Sequence, residues 1–400
     1  MKFTVGQFND SYEPVMDGVA NVTKNYAYWL SRKGCDSYVV TPSCPGYEDI
    51  NDFKVLRYFS VPLPKRRPYR YGIPQLDYNF NKDVNTIPFD LVHCHCPFTS
   101  GKLALKIARK RGIPVITTFH SKYYDDFKEA TKSDSIAKLM TQRIISFYNE
   151  VDAVWTVNDS TAETLRRYGY NGIINIMHNG ADFDTIGNLK EYIRKGADYL
   201  KVDEEDRVLL FVGQHIWQKN TRLIIEALRL LRDKGENFKM FFVGEGIVKK
   251  DMEELVEKYK LDDRVKFLGV IHDRELLKTI FARADLFLFP SVYDTSGIVV
   301  REAAAVRTPS LVVRDSNASE GIEDGFNGFI AEEEENSYCN KIIDIINQKE
   351  LRYKVGENAQ NTVFESWETI SSRVLKKYEE IIEKNNWNKE RRMKVPTMKI

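Results

Sequence analysis

Two doubly wound α/β domains are what this sequence of 400 residues predicts, on three observations. A single hydrophobic core stops growing at about 250–300 residues, so a chain of this length divides. Short apolar runs alternate with helical patterns almost throughout, which is how parallel strands and their covering helices read in sequence. Between Asp184 and Asp206 the alternation stops in a polar, charge-rich segment without a strand signal, then begins again. The expected division is a first domain over 1–184, a linker over 185–205 and a second domain over 206–365. Residues 366–400 are expected to form a C-terminal helix crossing back to the first domain, with a basic tail.

The elements follow in order. "FTVGQF" reads as a strand and is followed by a helix over Val19–Arg32, which Gly34 stops. "SYVV" and "FKVLRYF" are the next strands. "FDLVHCHC" leads to a helix over Lys102–Arg111 closed by Gly112, and "PVITTFH" to a helix near Ser135–Asn149. "AVWTV" precedes a helix capped by Asp159 or Ser160, and "IINIM" runs into "HNG". The second half repeats the scheme. "RVLLFVG", "FKMFFVG", "RVKFLG", "DLFLFP" and "SLVV" are strands, separated by helices over Thr221–Lys234, Lys249–Tyr259, Arg274–Ala282 and from about Gly297. Ligands of such sheets sit beyond the carboxyl ends of the strands, so the residues of interest are those that follow strands.

Composition narrows the function. Lys plus Arg (59) and Asp plus Glu (58) nearly cancel, which argues against a nucleic-acid binder. No apolar run approaches the ~18–20 residues needed to cross a bilayer. "MKFTVGQFND" is interrupted by polar residues too soon for a secretion signal. Five scattered cysteines suit a reducing cytoplasm. Balance overall hides local bias: "LPKRRPYRYGIP" gathers Lys65, Arg66, Arg67 and Arg70 with tyrosines and prolines, and the tail from Lys384 is basic around Trp387. Such clusters favour anionic surfaces, lipid headgroups included, although a solvated loop and a frayed tail read the same way.

Several motifs are excluded or left open by their own geometry. In "HCHC", His93 and His95 share one face of a strand and Cys94 and Cys96 the other, with no second ligand pair at zinc-finger spacing; no metal site is expected. "FVGEG" lacks the third glycine of a dinucleotide fingerprint, and no Gly-Lys-Ser/Thr phosphate loop occurs. Gly18 lies near a helix start, where backbone N–H groups could face a phosphate or simply form an ordinary loop. Lys219 sits at a helix start, where the dipole disfavours a cation; a bound anion nearby would explain it, with a solvated lysine as the alternative. In "VYDTSGIVVREAA", Asp294 precedes a helix with Thr295 or Ser296 as its cap, and Glu302 lies about two turns along it. The acids would stand ~8–10 Å apart with the N–H groups of Ser296, Gly297 and Ile298 between them. Such a site can hold hydroxyls at both ends and phosphates in the middle, the outline of a sugar nucleotide.

At these residues the sequence resembles the family 4 glycosyltransferases, retaining enzymes of the GT-B fold, in which two Rossmann-like domains face each other across a cleft. The resemblance rests on an ordered series: "NDSYEPVMDGV", "HCHCPFTSG", "TTFH", "HNGADFD", "VGQHIWQKN", "FVGEG", "VKFLG", "DLFLFPSVYDTSGIVVREAAA" and "GFNGF". It implies that Asp294, with the N–H groups of Ser296, Gly297 and Ile298, holds the donor sugar, and that Glu302 binds the ribose. Lys219 would neutralise the diphosphate, which Gly18 approaches. His120 would contact sugar and phosphate, and the backbone around Val270 and Ile271 would hold the base. Two positions depart from the pattern: Asp294 stands where the family usually has Glu, and Gln214 where it usually has Arg, with Arg301 a candidate replacement.

"NDSYEPVMDGVANV", "HSKYYDDF" and "PSVYDTSGIVVREAAA" look most like the bacterial glucosyltransferases acting on diacylglycerol and its glycosides. The expectation is a cytoplasmic enzyme at the inner face of the cell membrane, held in part by Lys65, Arg66, Arg67 and Arg70. UDP-glucose or a related UDP-hexose would be the donor, a lipid or lipid-linked glycan the acceptor, and no metal or other cofactor would be required. The alternatives are a family 4 enzyme of capsule or cell-wall glycan assembly, and a non-catalytic sugar-nucleotide-binding scaffold.

Overall fold

The computed structural model describes residues 3–15, 17–64 and 67–394. They fold as two units: one runs to Asn179 and takes in the last helix from Trp367, and the other is Gly180–Ser366.

The first unit is built on β1 (Thr4–Phe8), α1 (Gly18–Arg32), β2 (Asp36–Pro42) and β3 (Lys54–Tyr58). A small antiparallel ribbon follows, β4 (Ser60–Pro62) with β5 (Arg70–Gly72). Then come α2 (Tyr78–Thr86), β6 (Leu91–Cys94), α3 (Thr99–Arg111), β7 (Val115–Phe119), α4 (Tyr123–Thr131), α5 (Asp134–Tyr148), β8 (Ala153–Thr156), α6 (Asp159–Arg167) and β9 (Ile174–Ile176). Its main sheet has seven strands, all parallel, in the order β3-β2-β1-β6-β7-β8-β9. β1 and β7 are buried along their whole length, as strands covered by helices on both faces must be.

The second unit begins with α7 (Leu189–Leu200) and β10 (Val208–Val212), followed by α8 (Thr221–Asp233), β11 (Lys239–Val243), α9 (Lys249–Lys258), β12 (Val265–Gly269) and α10 (Arg274–Arg283). It continues through β13 (Leu286–Phe289), α11 (Ile298–Ala305), β14 (Ser310–Val313), β15 (Phe329–Ala331), α12 (Glu335–Ile346) and α13 (Lys349–Thr362). Six parallel strands run in the order β12-β11-β10-β13-β14-β15. The final helix, α14 (Trp367–Lys394), belongs to the first unit. There Trp367 packs edge-on to Tyr26 and Tyr378 stacks on Trp155, ring centroids 5.8 and 5.6 Å apart.

Some local expectations change. α6 is capped by Asn158, whose Oδ1 accepts from Thr161 N at 2.8 Å, not by Asp159 or Ser160, which already lie in the helix. α3 starts at Thr99, a turn before Lys102, because Gly101 lets the backbone close on Cys96: a Cβ there would stand 2.3 Å from the Cys96 carbonyl. The largest change concerns residues 185–205. They are not a bare linker: α7 docks on α10 and belongs to the second unit. Its stripe of Leu189, Tyr192, Ile193, Gly196, Ala197 and Leu200 recurs at helical spacing. At its centre Gly196 meets the other helix so closely that a Cβ would lie 2.2 Å from the Thr279 carbonyl.

That approach yields a test with an unambiguous sign. In an undocked helix, Gly196→Ala would stabilise by about 1 kcal/mol through helix propensity. Against α10 the added methyl should overpack and destabilise by about 1–3 kcal/mol, seen as a lower urea midpoint of the whole chain. A midpoint that rises would show that α7 is not docked.

Candidate functional site

In the second unit the strand order reverses between β10 and β13, so the loops that leave these neighbouring strands run to opposite sides and open a crevice at their carboxyl ends. The loop after β10 carries Gln214, which is exposed, and a short 3₁₀ turn, Trp217–Lys219. The loop after β13 carries Asp294 and leads into α11. Asn220, in left-handed conformation (φ 59°), ties the two together: its side-chain N–H groups donate to the Pro290 carbonyl at 3.3 Å and to Glu333 at 2.8 Å.

Lys219 and Asp294 meet across this crevice. The Lys219 ammonium bonds directly to Asp294 Oδ1, both side chains half-buried, and lies 5.7 Å from the centre of the Phe289 ring. Lys219 therefore stands just before α8, with a carboxylate beside it offsetting the unfavourable dipole. The other carboxylate oxygen, Asp294 Oδ2, is buried and has no partner among the described residues. An unpaired buried acceptor costs about 1–3 kcal/mol, so this one is poised for a hydroxyl or N–H from a ligand.

The start of α11 also departs from expectation. Its N-cap is Gly297, left-handed at φ 53°, and not Thr295 or Ser296. A glycine at the N-cap has no side chain of its own to occupy the helix start, a position that suits an anion. Glu302 lies one turn beyond Ile298 and is only 3 % exposed. It pairs with Arg274, the first residue of α10, which also reaches Asp182 at 3.5 Å and sits 4.7 Å from the centre of the Phe183 ring. Burial raises the Glu302 carboxyl to about 7; Arg274 pulls it down and Asp182 pushes it up. Arg274 escaped the sequence reading, although the signal used for Lys219 applied to it: a cation in the first turn of a helix.

The other predicted residues are placed as follows. Val270 and Ile271 follow β12, Val270 exposed and Ile271 packed at the edge of the core. Arg301 donates to the Val363 carbonyl at 2.8 Å, tying α11 to the end of α13; the cation beside an acid of the pair is Arg274. The glycines of "FVGEG" serve backbone packing: a Cβ on Gly244 would stand 2.0 Å from the Gly213 carbonyl, and one on Gly246 2.2 Å from that of His215.

In the first unit Gly18 opens α1 with free space around it, but the N–H groups of Val19 and Ala20 are taken by Asp17, at 3.0 and 2.8 Å. The helix start expected to face a phosphate thus already holds a carboxylate. His93 and His95 share a face and stack, while Cys94 points the other way to the Ile116 carbonyl, as strand alternation requires. His120 ends β7's run into the loop, with Nε2 3.1 Å from His95 Nδ1; burial lowers it to about 3, so it is neutral near pH 7. Among the described residues no cluster of three or more His, Cys, Asp or Glu is arranged to hold a metal. A partly buried acid missed in the sequence is Asp10, beyond β1: it accepts from Ser100 N and Oγ at 3.0 and 2.9 Å, and loss of water around it raises it to about 6. Of the basic loop, Lys65 and Arg66 lie outside the described residues, Arg67 is exposed, and Arg70 is held by Ser60 Oγ and O at 2.7 and 2.9 Å.

Two Rossmann-like units of parallel strands, the second with two acid–cation pairs near the start of α11, have the architecture of a GT-B glycosyltransferase. Residues 16–185 match the model of "Glycosyltransferase Family 4" and residues 196–362 that of "Glycosyl transferases group 1". The chain belongs to the family 4 glycosyltransferases, a retaining family. It is 24% identical over 399 residues to an alpha-monoglucosyldiacylglycerol synthase of Acholeplasma laidlawii, covering 96% of this chain and 98% of that protein. Among solved structures it is similar to a sucrose-phosphate synthase of Thermosynechococcus elongatus (TM-score 0.77, 17% identity, 96% of this chain and 100% of the other). It is also similar to Anabaena HepE in complex with UDP and glucose (TM-score 0.75, 18% identity, 95% and 100%).

The raised Glu302 carboxyl makes a pH prediction. A group whose folded pKa exceeds its unfolded value, here about 7 against 4.5, adds stability that is complete below 4.5 and lost as pH rises through about 7. Glu302→Gln removes that titration. Relative to this variant, the wild-type urea midpoint should fall as pH rises from about 5 to about 7.5. Parallel midpoints across the range would show that Glu302 titrates normally.

Proposed function

We propose that this enzyme transfers a hexose from a UDP-sugar, with UDP-glucose the first candidate, to a membrane-lipid acceptor of the diacylglycerol or glycolipid class. The observation that carries the donor half is the crevice in the second unit: an unpaired carboxylate oxygen on Asp294, an α11 start with glycine at its N-cap, and Glu302 one turn on. That order fits sugar, diphosphate and ribose. UDP and glucose in a structural neighbour support the donor, and the name of the Acholeplasma relative supports the acceptor.

In this reading a sugar hydroxyl donates to Asp294 Oδ2, completing the unpaired oxygen. The diphosphate lies at the α11 start, against the N–H groups of Ser296, Gly297 and Ile298. Lys219 turns from Asp294 to the leaving phosphate, so its charge is already in place as negative charge develops on that oxygen. The ribose hydroxyls donate to Glu302, beside which Arg274 sits, and the backbone at Val270 and Ile271 meets the base. His120 contacts the donor sugar. As the bond from the anomeric carbon to phosphate breaks, the acceptor hydroxyl attacks the same face and its proton passes to the departing phosphate oxygen. Configuration is retained without a protein nucleophile. Lys219 and the helix start carry the charge, with no metal assigned a part.

The acceptor half draws on the β4–β5 ribbon. Val61 and Tyr71 face each other across it, 37% and 53% exposed, and Phe59 beside them is 43% exposed. In sequence the connection between the two strands contains the Lys65–Arg67 run, and apolar residues together with basic ones suit an anionic bilayer. Arg70, held by Ser60, has a structural part instead.

The test is direct. The whole chain is incubated with radiolabelled UDP-glucose and vesicles containing diacylglycerol and an anionic lipid. Label extracted into organic solvent as an α-glucoside supports the proposal; label that stays aqueous, or a β-product, refutes it.

Two sets of variants probe its halves. Glu302→Gln should weaken UDP alone and UDP-glucose alike, by roughly 10- to 100-fold, through loss of charge-assisted bonds to the ribose. Asp294→Asn should leave UDP binding unchanged or tighter, since it releases Lys219, yet lower turnover roughly 10- to 100-fold. Lys219→Ala should impair both. Calorimetry with UDP beside steady-state rates separates the patterns, and weaker UDP binding in Asp294→Asn would reverse the orientation of the donor.

For the membrane half, Val61→Ser with Tyr71→Ser should reduce co-sedimentation with anionic vesicles even in high salt. Lys65, Arg66 and Arg67 changed to Ser should reduce it at low salt by up to ~1 kcal/mol per charge. Binding that survives both sets would place the membrane contact elsewhere.

A further inference from the structure

Three buried histidines of the first unit stand in a row, His93 on His95 with ring centroids 4.4 Å apart and His95 on His120 at 5.3 Å. Their ring nitrogens are joined in single file with three other side chains. Thr118 Oγ1 is 2.7 Å from His93 Nε2, and His93 Nδ1 is 2.6 Å from the hydroxyl of Tyr378 on α14. That hydroxyl accepts from Gln7 Nε2 on β1 at 3.2 Å. Gln7 Oε1 is 2.9 Å from His95 Nε2, and His95 Nδ1 is 3.1 Å from His120 Nε2. Tyr26 packs against both His93 and His95, and Trp155 covers Tyr378, so the file is enclosed by aromatic rings.

A neutral imidazole has one N–H and one lone pair, so in a single file each link dictates the next. The amide of Gln7 sets the direction. Its N–H goes to Tyr378, so its carbonyl must accept from His95 Nε2–H. His95 Nδ1 is then a lone pair and accepts from His120 Nε2–H. His120 is left with a bare lone pair on Nδ1, which has no partner among the described residues. Toward the other end, the Tyr378 hydroxyl, having accepted from Gln7, has its own proton to give to His93 Nδ1, in which case His93 Nε2–H donates to Thr118. Burial lowers all three rings, so none carries the extra proton that would turn both nitrogens into donors and break the file.

We propose that Gln7, His95 and Tyr378 are positioning residues for His120: the file holds His120 in its Nε2–H tautomer, so that Nδ1 accepts a hydrogen bond from a hydroxyl of the donor sugar and is unable to donate one to the diphosphate. This deepens the role given to His120 above and rests on it. It also gives α14 a task beyond packing, because Tyr378 accepts from the Gln7 amide on which the order depends.

Long-range proton–nitrogen correlation spectra of the whole unliganded chain read the tautomer directly, with His120 assigned by the loss of its signals in His120→Gln. The expected spectrum shows His120 protonated at Nε2 and bare at Nδ1 from about pH 6 to about 8. Gln7→Leu should replace it by a mixture of tautomers and lower kcat/KM for UDP-glucose about 3- to 10-fold. Where Gln7→Leu does not fold, Tyr378→Phe, which frees the amide to turn, carries the same comparison, and the wild-type spectrum decides without either. A wild-type His120 protonated at Nδ1 overturns the proposal, since that is the file with the amide reversed and His120 a donor to phosphate. So does an unmixed Nε2–H tautomer in a folded Gln7→Leu or Tyr378→Phe. Full turnover by His120→Ala would instead sink the functional role of His120 and leave the tautomer result standing.

Discussion

Parallel strands must be joined by crossovers of one hand, and a sheet grown on both sides of its first strand must somewhere reverse direction. In the second unit that reversal falls between β10 and β13, and the site depends on it. Lys219 and Asp294 are far apart in sequence, yet each ends a loop leaving one of two hydrogen-bonded neighbours, so topology alone brings them together. The backbone packing of Gly213 against Gly244 and of His215 against Gly246 then fixes how the loop after β10 lies. No side chain could occupy those glycine positions without pushing the loop, and Lys219 with it, away from Asp294.

The two acids of the crevice solve the problem of storing charge without ligand in different ways. Asp294 is half-open and keeps its ionic partner close, with one oxygen spare. Glu302 is buried deeply enough that Arg274 does not compensate the loss of water, and its carboxyl sits near neutrality. Removing Arg274 would strand Glu302, which is almost fully buried, whereas both members of the Lys219–Asp294 pair keep some contact with water. In the proposed mechanism the Lys219–Asp294 pair is the one that exchanges partners as the donor arrives, while Glu302 keeps Arg274 beside it.

Much of this was legible beforehand because parallel strands announce themselves as apolar runs. The order of strands, the loops that follow them and the acids at 294 and 302 were all readable from the chain. What was not readable has identifiable causes. α7 hid because two of the six residues in its stripe, Gly196 and Ala197, look like surface or turn residues until a second helix is seen to lie against them. The start of α3 hid for the same reason, with Gly101 there for contact with Cys96. Caps went wrong where several capping residues stood in a row: "NDS" offered three, and Asn158 took the role because the side chains after it are already helical. Arg274 was overlooked because its partners, Asp182 and Glu302, come from two distant segments. Glycosyltransferase identity did not depend on these points, since each motif follows a strand.

The two units handle polarity in opposite ways, and the contrast follows from what each holds. The second works with formal charges in ion pairs, which suits a diphosphate whose charge must be matched and then released. The first keeps its buried polar groups neutral: three histidines, a glutamine, a tyrosine and a threonine linked end to end. A charge at the end of that file would have to be carried through an aromatic interior, at a cost of several kcal/mol. A lone pair carries direction at no such cost, because each neutral link is satisfied by its neighbour. Such a file can orient an acceptor toward a sugar hydroxyl without adding positive charge where the transition state is already cationic. A protonated histidine there would oppose the developing oxocarbenium, so the burial that lowers His120 is of a piece with the chemistry assigned to the site.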